Sequence, residues 1–169
     1  KQVFDRFPRM VRDLCLERNK EVELFISGED TELDRTIVNQ VGDPLVHLLR
    51  NAVDHGLEGK EERISSGKNP VGKIVLEAHH EGSHVVVSVE DDGRGMDPEV
   101  LKARALEKKI ISAEEAENMS DDEALRLIFR SGFSTSQTIT DISGRGVGMD
   151  VVRTAIEALN GTVEVKSTP

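Results

Sequence analysis

The stretch His47-Leu48-Leu49-Arg50-Asn51-Ala52-Val53-Asp54-His55-Gly56 decides how this chain is read. At helical spacing His47, Arg50, Asn51, Asp54 and His55 fall at i, i+3, i+4, i+7 and i+8, which sets five polar side chains on one stripe. Leu45, Leu48, Leu49, Ala52 and Val53 fill the rest of the cylinder. A helix this apolar is normally buried, so the stripe is expected to face something polar, a ligand or an ion. A stripe that simply faces water is the plain alternative. Asp43 is expected to cap this helix, Pro44 to suit its first turn and Gly56 to stop it.

Upstream, Phe7 to Arg18 reads as an amphipathic helix with a Phe7/Met10/Val11/Leu14 stripe, and Asn19-Lys20 turns the chain. Val22, Leu24 and Ile26 alternate with Glu23 and Phe25, the pattern of a strand ending at Gly28. Thr31, with Asp34 three residues later, suggests a variant cap for a helical segment through Ile37, Val38 and Val41. Downstream, Leu57 to Gly72 is polar and rich in glycine, and is expected to be irregular. Lys73–Ala78 and Val85–Glu90 flank a turn at Glu81-Gly82-Ser83, predicting an antiparallel hairpin. His79, His80 and His84 crowd that turn. Nothing in their spacing matches a metal site, so exposed hairpin histidines are expected. Pro98 to about Lys108, capped by Asp97, and Asp121 to Phe129 are predicted helices. Arg130 to Ser143 lacks periodicity and reads as a loop. A last helix from about Val147 to Leu159 turns Val151, Val152, Ala155, Ile156 and Leu159 inward, and Thr162–Lys166 starts a strand. That strand has no visible partner before Pro169, so a piece of a longer protein is expected.

A length of 169 residues suits one well-buried domain over 1–169. No apolar run reaches the ~18 residues of a membrane helix, so no membrane insertion is expected. Lys1–Pro8 carries an acid and lacks a long apolar core, unlike a signal peptide. The single cysteine, Cys15, excludes an internal disulfide, fits a reducing cytoplasm and is read as packing. A net charge of −10 argues against a nucleic-acid or membrane-surface binder. It leaves a phosphate ligand open, because helix-end N–H groups and a bound Mg²⁺ neutralise phosphate without lysines.

Two further segments carry chemistry. Asp91-Asp92-Gly93-Arg94-Gly95 runs from a strand end into a glycine-rich turn, where backbone can approach a ligand and a carboxylate can accept from an exocyclic amine. An ordinary strand-to-helix turn has a similar composition. Ser143-Gly144-Arg145-Gly146-Val147-Gly148-Met149 leads into the last helix, and glycine-rich backbone at a helix N-terminus suits phosphate. A flexible hinge without ligand is the alternative there. The G-x-G-x-G spacing is not the dinucleotide fingerprint, and no G-x-x-x-x-G-K-[ST] P-loop occurs.

Taken in order, these motifs resemble the ATP-binding domains of the Bergerat-type superfamily, which includes histidine kinases, type II topoisomerases, Hsp90 chaperones and MutL proteins. Asn51 matches the N box; Asp91, Gly93 and Gly95 match the first glycine box; Gly144, Gly146 and Gly148 match the second. Phe129 and Phe133 resemble the kinase F box. His47–Gly56, Gly132–Thr135 and Ser143–Val152 are most similar to the chemotaxis histidine kinases, and the likeness covers nearly the whole chain. The family's closing strands after Lys166 are missing from it.

The resemblance implies an α+β two-layer sandwich, a mixed and mainly antiparallel sheet with helices on one face. It implies ATP and Mg²⁺ as ligands. Asn51 would bind the Mg²⁺ that bridges the phosphates. Asp91 would hold the adenine amino group, and Gly93 and Gly95 would give the base room. Gly144, Gly146 and Gly148 would wrap the phosphates as a lid over about 130–146 closes, with Ser134, Thr135, Arg145, Val147 and Met149 beside the nucleotide. His47 and Arg50 would reach the γ-phosphate as catalytic groups, and Asp54 and His55 would lie near the inner phosphates. ATP-hydrolysing clamps of the superfamily place a glutamate four residues before the asparagine; His47 stands there, favouring transfer to protein over hydrolysis. The implied partners are a phosphoacceptor-histidine domain of the same protein and, through domains outside this chain, response regulators and receptor coupling. A homodimeric full-length kinase with a monomeric 169-residue piece is expected. An ATP-hydrolysing clamp or a nucleotide-sensing module that transfers nothing are the alternatives.

Overall fold

A computed structural model describes residues 3–133 and 148–168. The backbone falls into two compact units, Lys1–Arg94 and Gly95–Pro169.

The first unit is built on a three-stranded sheet: β1 (Val22–Ser27), β2 (Gly72–Glu81) and β3 (His84–Asp91), in that spatial order. The predicted hairpin is present, with β2 and β3 antiparallel around Gly82-Ser83 and Glu81 opposite His84. β1 runs parallel to β2, Val22 opposite Gly72 and Ser27 opposite Glu77. The sheet is therefore mixed, with one pairing of each kind. Ile74, Leu76 and Ala78 on alternate positions of β2 are buried, so one face holds the core. Fully burying each of these aliphatic side chains contributes roughly 1.5–3 kcal/mol for the larger ones. His79, His80 and His84 are exposed at the hairpin tip.

Helix α1 (Phe7–Arg18) buries Phe7, Val11, Leu14 and Cys15, the i, i+4, i+7, i+8 face of an amphipathic helix. It stops at Asn19 in the left-handed conformation, with the Lys20 N–H on the Cys15 carbonyl. Helix α2 (Arg35–Asn51) differs from expectation. One helix replaces the two segments that Pro44 was expected to separate, and the cap is Asp34, which accepts from the Thr36 N–H, not Asp43 or Thr31. Thr31 instead donates to the Ala78 carbonyl. Pro44 forfeits one helical bond, at a cost of about 3 kcal/mol in a helix interior. Val41, Leu45 and Leu49 lie four apart on one buried line across it, and that continuous stripe carries the helix through. The connector after Gly56 also contains a short helix, α3 (Lys60–Ser65), where irregular chain was expected.

The second unit contains α4 (Pro98–Glu107), α5 (Ala113–Asn118), α6 (Asp121–Leu125) with a 3₁₀ turn over Arg126–Phe129, and α7 (Met149–Glu157). Asp97 caps α4 as expected, accepting from the Glu99 N–H. Ser112 and Glu115 form a reciprocal capping box on α5, a helix without an apolar stripe in its sequence. Leu101, Ala105, Ile111, Leu125, Leu127 and Phe133 are among the buried core residues. In α7 Val152 is buried, whereas Val151 is 45% exposed instead of turned inward. Thr162–Lys166 joins no ladder. Its odd and even residues still alternate between half-buried and exposed, Val165 packs on the core, and Ser167 Oγ accepts from the Met96 N–H. Side-chain alternation alone suggested a strand, but a strand also needs a paired backbone. Among the described residues no helix is long and apolar enough to cross a membrane.

Candidate functional site

The polar stripe sits on the last turns of α2. His47, Arg50 and Asn51 are half-buried there, as the helical spacing requires. Immediately after Asn51 the helix widens: Ala52–Gly56 is a π-turn, closed by the Leu57 N–H on the Ala52 carbonyl at 2.8 Å. A five-residue closure turns the chain by less than the roughly 100° per residue of an α-helix, so residues beyond Asn51 fall behind the stripe. Asp54 accordingly turns to α1, where its Oδ1 accepts from Arg18 Nε at 2.9 Å, and His55 is exposed. The structure thus keeps His47, Arg50 and Asn51 on one α-helical stripe, engages Asp54 with α1 and leaves His55 exposed.

Lys20, read only as part of a turn, holds this widened segment. Its Nζ donates to the carbonyls of Val53 (2.6 Å), Asp54 (3.3 Å) and Leu57 (2.8 Å), the acceptors that a π-turn leaves open. Burial pushes the Lys20 pKa down, and the Asp54 carboxylate pulls it partly back. Lys20→Met removes the donor from all three carbonyls. The expected result is a loss of about 2–3 kcal/mol in thermal or urea unfolding, the scale of one charge-assisted hydrogen bond with its partners left wanting. An unchanged melting curve would show that water serves these carbonyls equally well.

The π-turn delivers Gly56 to the end of β3. A Cβ on Gly56 would stand 3.0 Å from Asp91 Oδ2, and the Arg94 N–H donates to the Gly56 carbonyl at 2.9 Å. Asp91 Oδ1 accepts from the Gly93 N–H at 2.9 Å, which fixes the carboxylate and leaves Oδ2 for another donor. Desolvation raises the Asp91 pKa; the Gly93 hydrogen bond and Lys68 oppose this, and the charges of Asp92 and Glu58 reinforce it. Perturbed carboxyls of this kind concentrate at functional sites. Gly93 has a structural reason to be glycine: a Cβ there would overlap the Gly56 carbonyl and lie 2.7 Å from Asp91 Oδ1. It lets backbone meet backbone at this junction.

In the second unit Gly95 has φ +72°, the left-handed region where a side chain is strained, so its glycine serves the turn. Gly148 precedes α7 as its N-cap residue, and Met149 is the first helical residue. Phe129 and Phe133 are both buried; Arg153 lies over the Phe129 ring at 6.0 Å. Ser134, Thr135, Gly144, Arg145, Gly146 and Val147 lie outside the described residues, as does the expected lid beyond Phe133.

Residues 40–169 match the family of histidine kinase-, DNA gyrase B- and HSP90-like ATPases, and the chain belongs to that family. Within it the chain is similar to the sensor histidine kinase CheAY of Helicobacter pylori, 55% identical over 166 residues that make up 98% of this chain and 21% of that protein. It is 53% identical to the chemotaxis protein CheA of Bacillus subtilis over 165 residues, 98% of this chain and 25% of the relative. Against the CheA of Salmonella typhimurium the identity is 48% over 165 residues, 98% and 24% of the two chains. The chain spans about a fifth to a quarter of the length of these relatives.

Proposed function

We propose that this chain is the ATP-binding catalytic part of a CheA-like protein-histidine kinase. In the whole protein the γ-phosphoryl of ATP would pass to a histidine on a separate phosphotransfer domain and from there to a response regulator. The observation that carries the reading is the junction of Asn51–Gly56 with Asp91–Gly93, one fixed carboxylate beside the end of the polar helix. Asp91 Oδ2 is the acceptor for the adenine amino group. The Asn51 amide oxygen is a hard neutral ligand of the kind that Mg²⁺ accepts alongside phosphate oxygens, and one such protein ligand suffices for a metal that arrives with its nucleotide. Mg²⁺, when bound, supplies charge neutralisation at the phosphates. His47 and Arg50, on the same stripe as Asn51, orient the terminal phosphoryl group, since phosphoryl transfer asks mainly for positioning and charge. An imidazole at position 47 suits alignment of an incoming nucleophile better than activation of water.

Residues 1–169 act on this reading as a single ATP-binding domain of a cytoplasmic kinase, with the glycines 144, 146 and 148 and their neighbours on the phosphates. The full-length protein is a homodimer on the same reading, and receptor coupling belongs to its other domains. Calorimetric titration with ATP, with and without Mg²⁺, tests it. Saturable binding is expected, strengthened by Mg²⁺. Asn51→Ala is expected to erase the Mg²⁺-dependent gain and to cut labelling of an added phosphoacceptor domain by about 100-fold or more, the loss typical of one charge-stabilising group. A folded chain that ignores ATP overturns the proposal.

A further inference from the structure

Arg63 is the largest fully buried side chain of the described residues, 1% exposed on a six-residue helix. Burying a guanidinium is costly unless every donor is met. Its Nε donates to the Asn69 carbonyl (2.6 Å), one terminal nitrogen to Glu58 Oε1 (3.2 Å) and the Asp92 carbonyl (3.3 Å), and the other to Asp92 Oδ2 (2.9 Å). Lys68 converges on the same place: its Nζ donates to Glu58 Oε2 (2.7 Å), the Asp92 carbonyl (3.2 Å) and the Gly93 carbonyl (2.8 Å). The second Asp92 oxygen, Oδ1, accepts from the Lys73 N–H at 2.8 Å. Glu62, also on α3, pairs with Arg94 at 3.3 Å.

The two cations therefore grip the carbonyls of Asp92 and Gly93, the residues that follow Asp91. Burial pushes the Glu58 pKa up, but the Lys68 hydrogen bond, the backbone and the charges of Lys68 and Arg63 hold the carboxylate below its ordinary range. The group stays charged and the grip stays on at neutral pH. A buried ion network is often less stabilising than apolar packing of equal volume, so stability alone is a weak reason for it. Fixing the register of one short segment is a better one, and the planar fork of Arg63 adds a fixed direction that the Lys68 ammonium does not supply.

We infer that Arg63, with Glu58, Lys68 and Asp92, is a positioning set for the Asp91–Gly93 carboxylate site, fixing the strand end from behind so that Asp91 presents its free oxygen to the nucleotide base. The inference rests on the ATP reading above. It predicts that the base end of the site weakens while the metal end does not. In Arg63→Lys and Asp92→Asn, ATP affinity is expected to fall about tenfold equally with and without Mg²⁺, the scale of one charge-assisted hydrogen bond. Amide hydrogen exchange at Gly93 and Arg94 is expected to accelerate by a similar factor, about tenfold, with the central amides of β2 and β3 unchanged. Arg63→Lys keeps the charge and loses the fork, so a merely structural cation would be rescued by it. Asp92, with its side chain 45% exposed, is the milder change and is expected to fold where Arg63→Lys does not. A folded variant with parental ATP affinity and parental Gly93 exchange overturns the inference, and so does uniform acceleration of all amides. If the parent chain itself ignores ATP, the kinase reading fails, and the exchange at Gly93 alone decides whether this set positions the strand end.

Discussion

Asp91→Asn is expected to cost ATP affinity about 10- to 100-fold, the range set by losing one hydrogen bond to a charged acceptor, while leaving the fold intact or firmer. Oδ1 of Asp91 already accepts from the Gly93 N–H. An asparagine keeps that bond with its own oxygen, and its amide nitrogen then occupies the place of Oδ2. A donor there faces the donor of an exocyclic amine. The loss is thus chemical and not steric, because the two side chains share one shape.

Stability runs the opposite way. The folded Asp91 pKa is raised by desolvation, so the folded state holds the proton to higher pH than the unfolded chain does. Stability associated with this group is therefore present below the ordinary carboxylate pKa of 3.8 and is lost as pH rises through the window up to the raised folded value. Asp91 is itself exposed, so water screens most of that penalty; at neutral pH the parent carries what remains and Asp91→Asn does not. Melting curves are expected to place the variant at or above the parent at pH 7, with the gap closing as both are acidified below the ordinary carboxylate range. A variant that binds ATP like the parent, or that melts well below it at pH 7, contradicts this account.

Local chemistry was legible where partners are near in sequence. Alternation in β2 and β3, the Gly82-Ser83 turn and the Asp97 cap of α4 involve residues a few positions apart, and the hairpin and that helix follow from them. The Ser112/Glu115 box on α5 is equally local, but its helix buries nothing and so leaves no apolar stripe to mark it. The order of Asn51, Asp91 and the glycines identified the family, and the comparisons agree. What escaped depends on distant partners. The π-turn is stabilised by Lys20, 33 residues from Val53, and no periodic pattern reports it. That turn is why α-helical spacing does not carry past Asn51, where Asp54 meets Arg18 of α1. Helix α3 looked like polar connector because its one buried residue is an arginine, whose partner Asp92 lies 29 residues on. Pro44 misled in the other direction: a rule about prolines in helices yielded to a buried aliphatic line on both sides of it.

Gly93→Ala is expected to be the most damaging single-methyl change at the junction of the polar helix with the end of β3. The added Cβ would overlap the Gly56 carbonyl, a backbone group that cannot rotate aside, and would crowd Asp91 Oδ1 at 2.7 Å. Relief requires the end of β3 to part from the π-turn, which breaks the Arg94 N–H bond to the Gly56 carbonyl as well. Overpacking together with one lost backbone hydrogen bond amounts to about 2–4 kcal/mol, enough to lower the urea midpoint visibly. ATP affinity should fall by more than in Asp91→Asn, since the carboxylate and the helix end lose their mutual placement. Two further substitutions grade the argument. Gly56→Ala brings its Cβ to 3.0 Å from Asp91 Oδ2, a side-chain atom that yields by a few tenths of an ångström, so a smaller loss is expected. Gly59→Ala meets nothing within 4 Å and should be near neutral for binding and nearly so for stability, as an N-cap glycine replaced by alanine costs only a few tenths of a kcal/mol to about 1. The order Gly93, Gly56, Gly59 in both unfolding and ATP titration is the signature of a backbone-to-backbone junction. Equal effects at positions 93 and 59 would mean that the junction of Gly56 and Gly93 does not set the site.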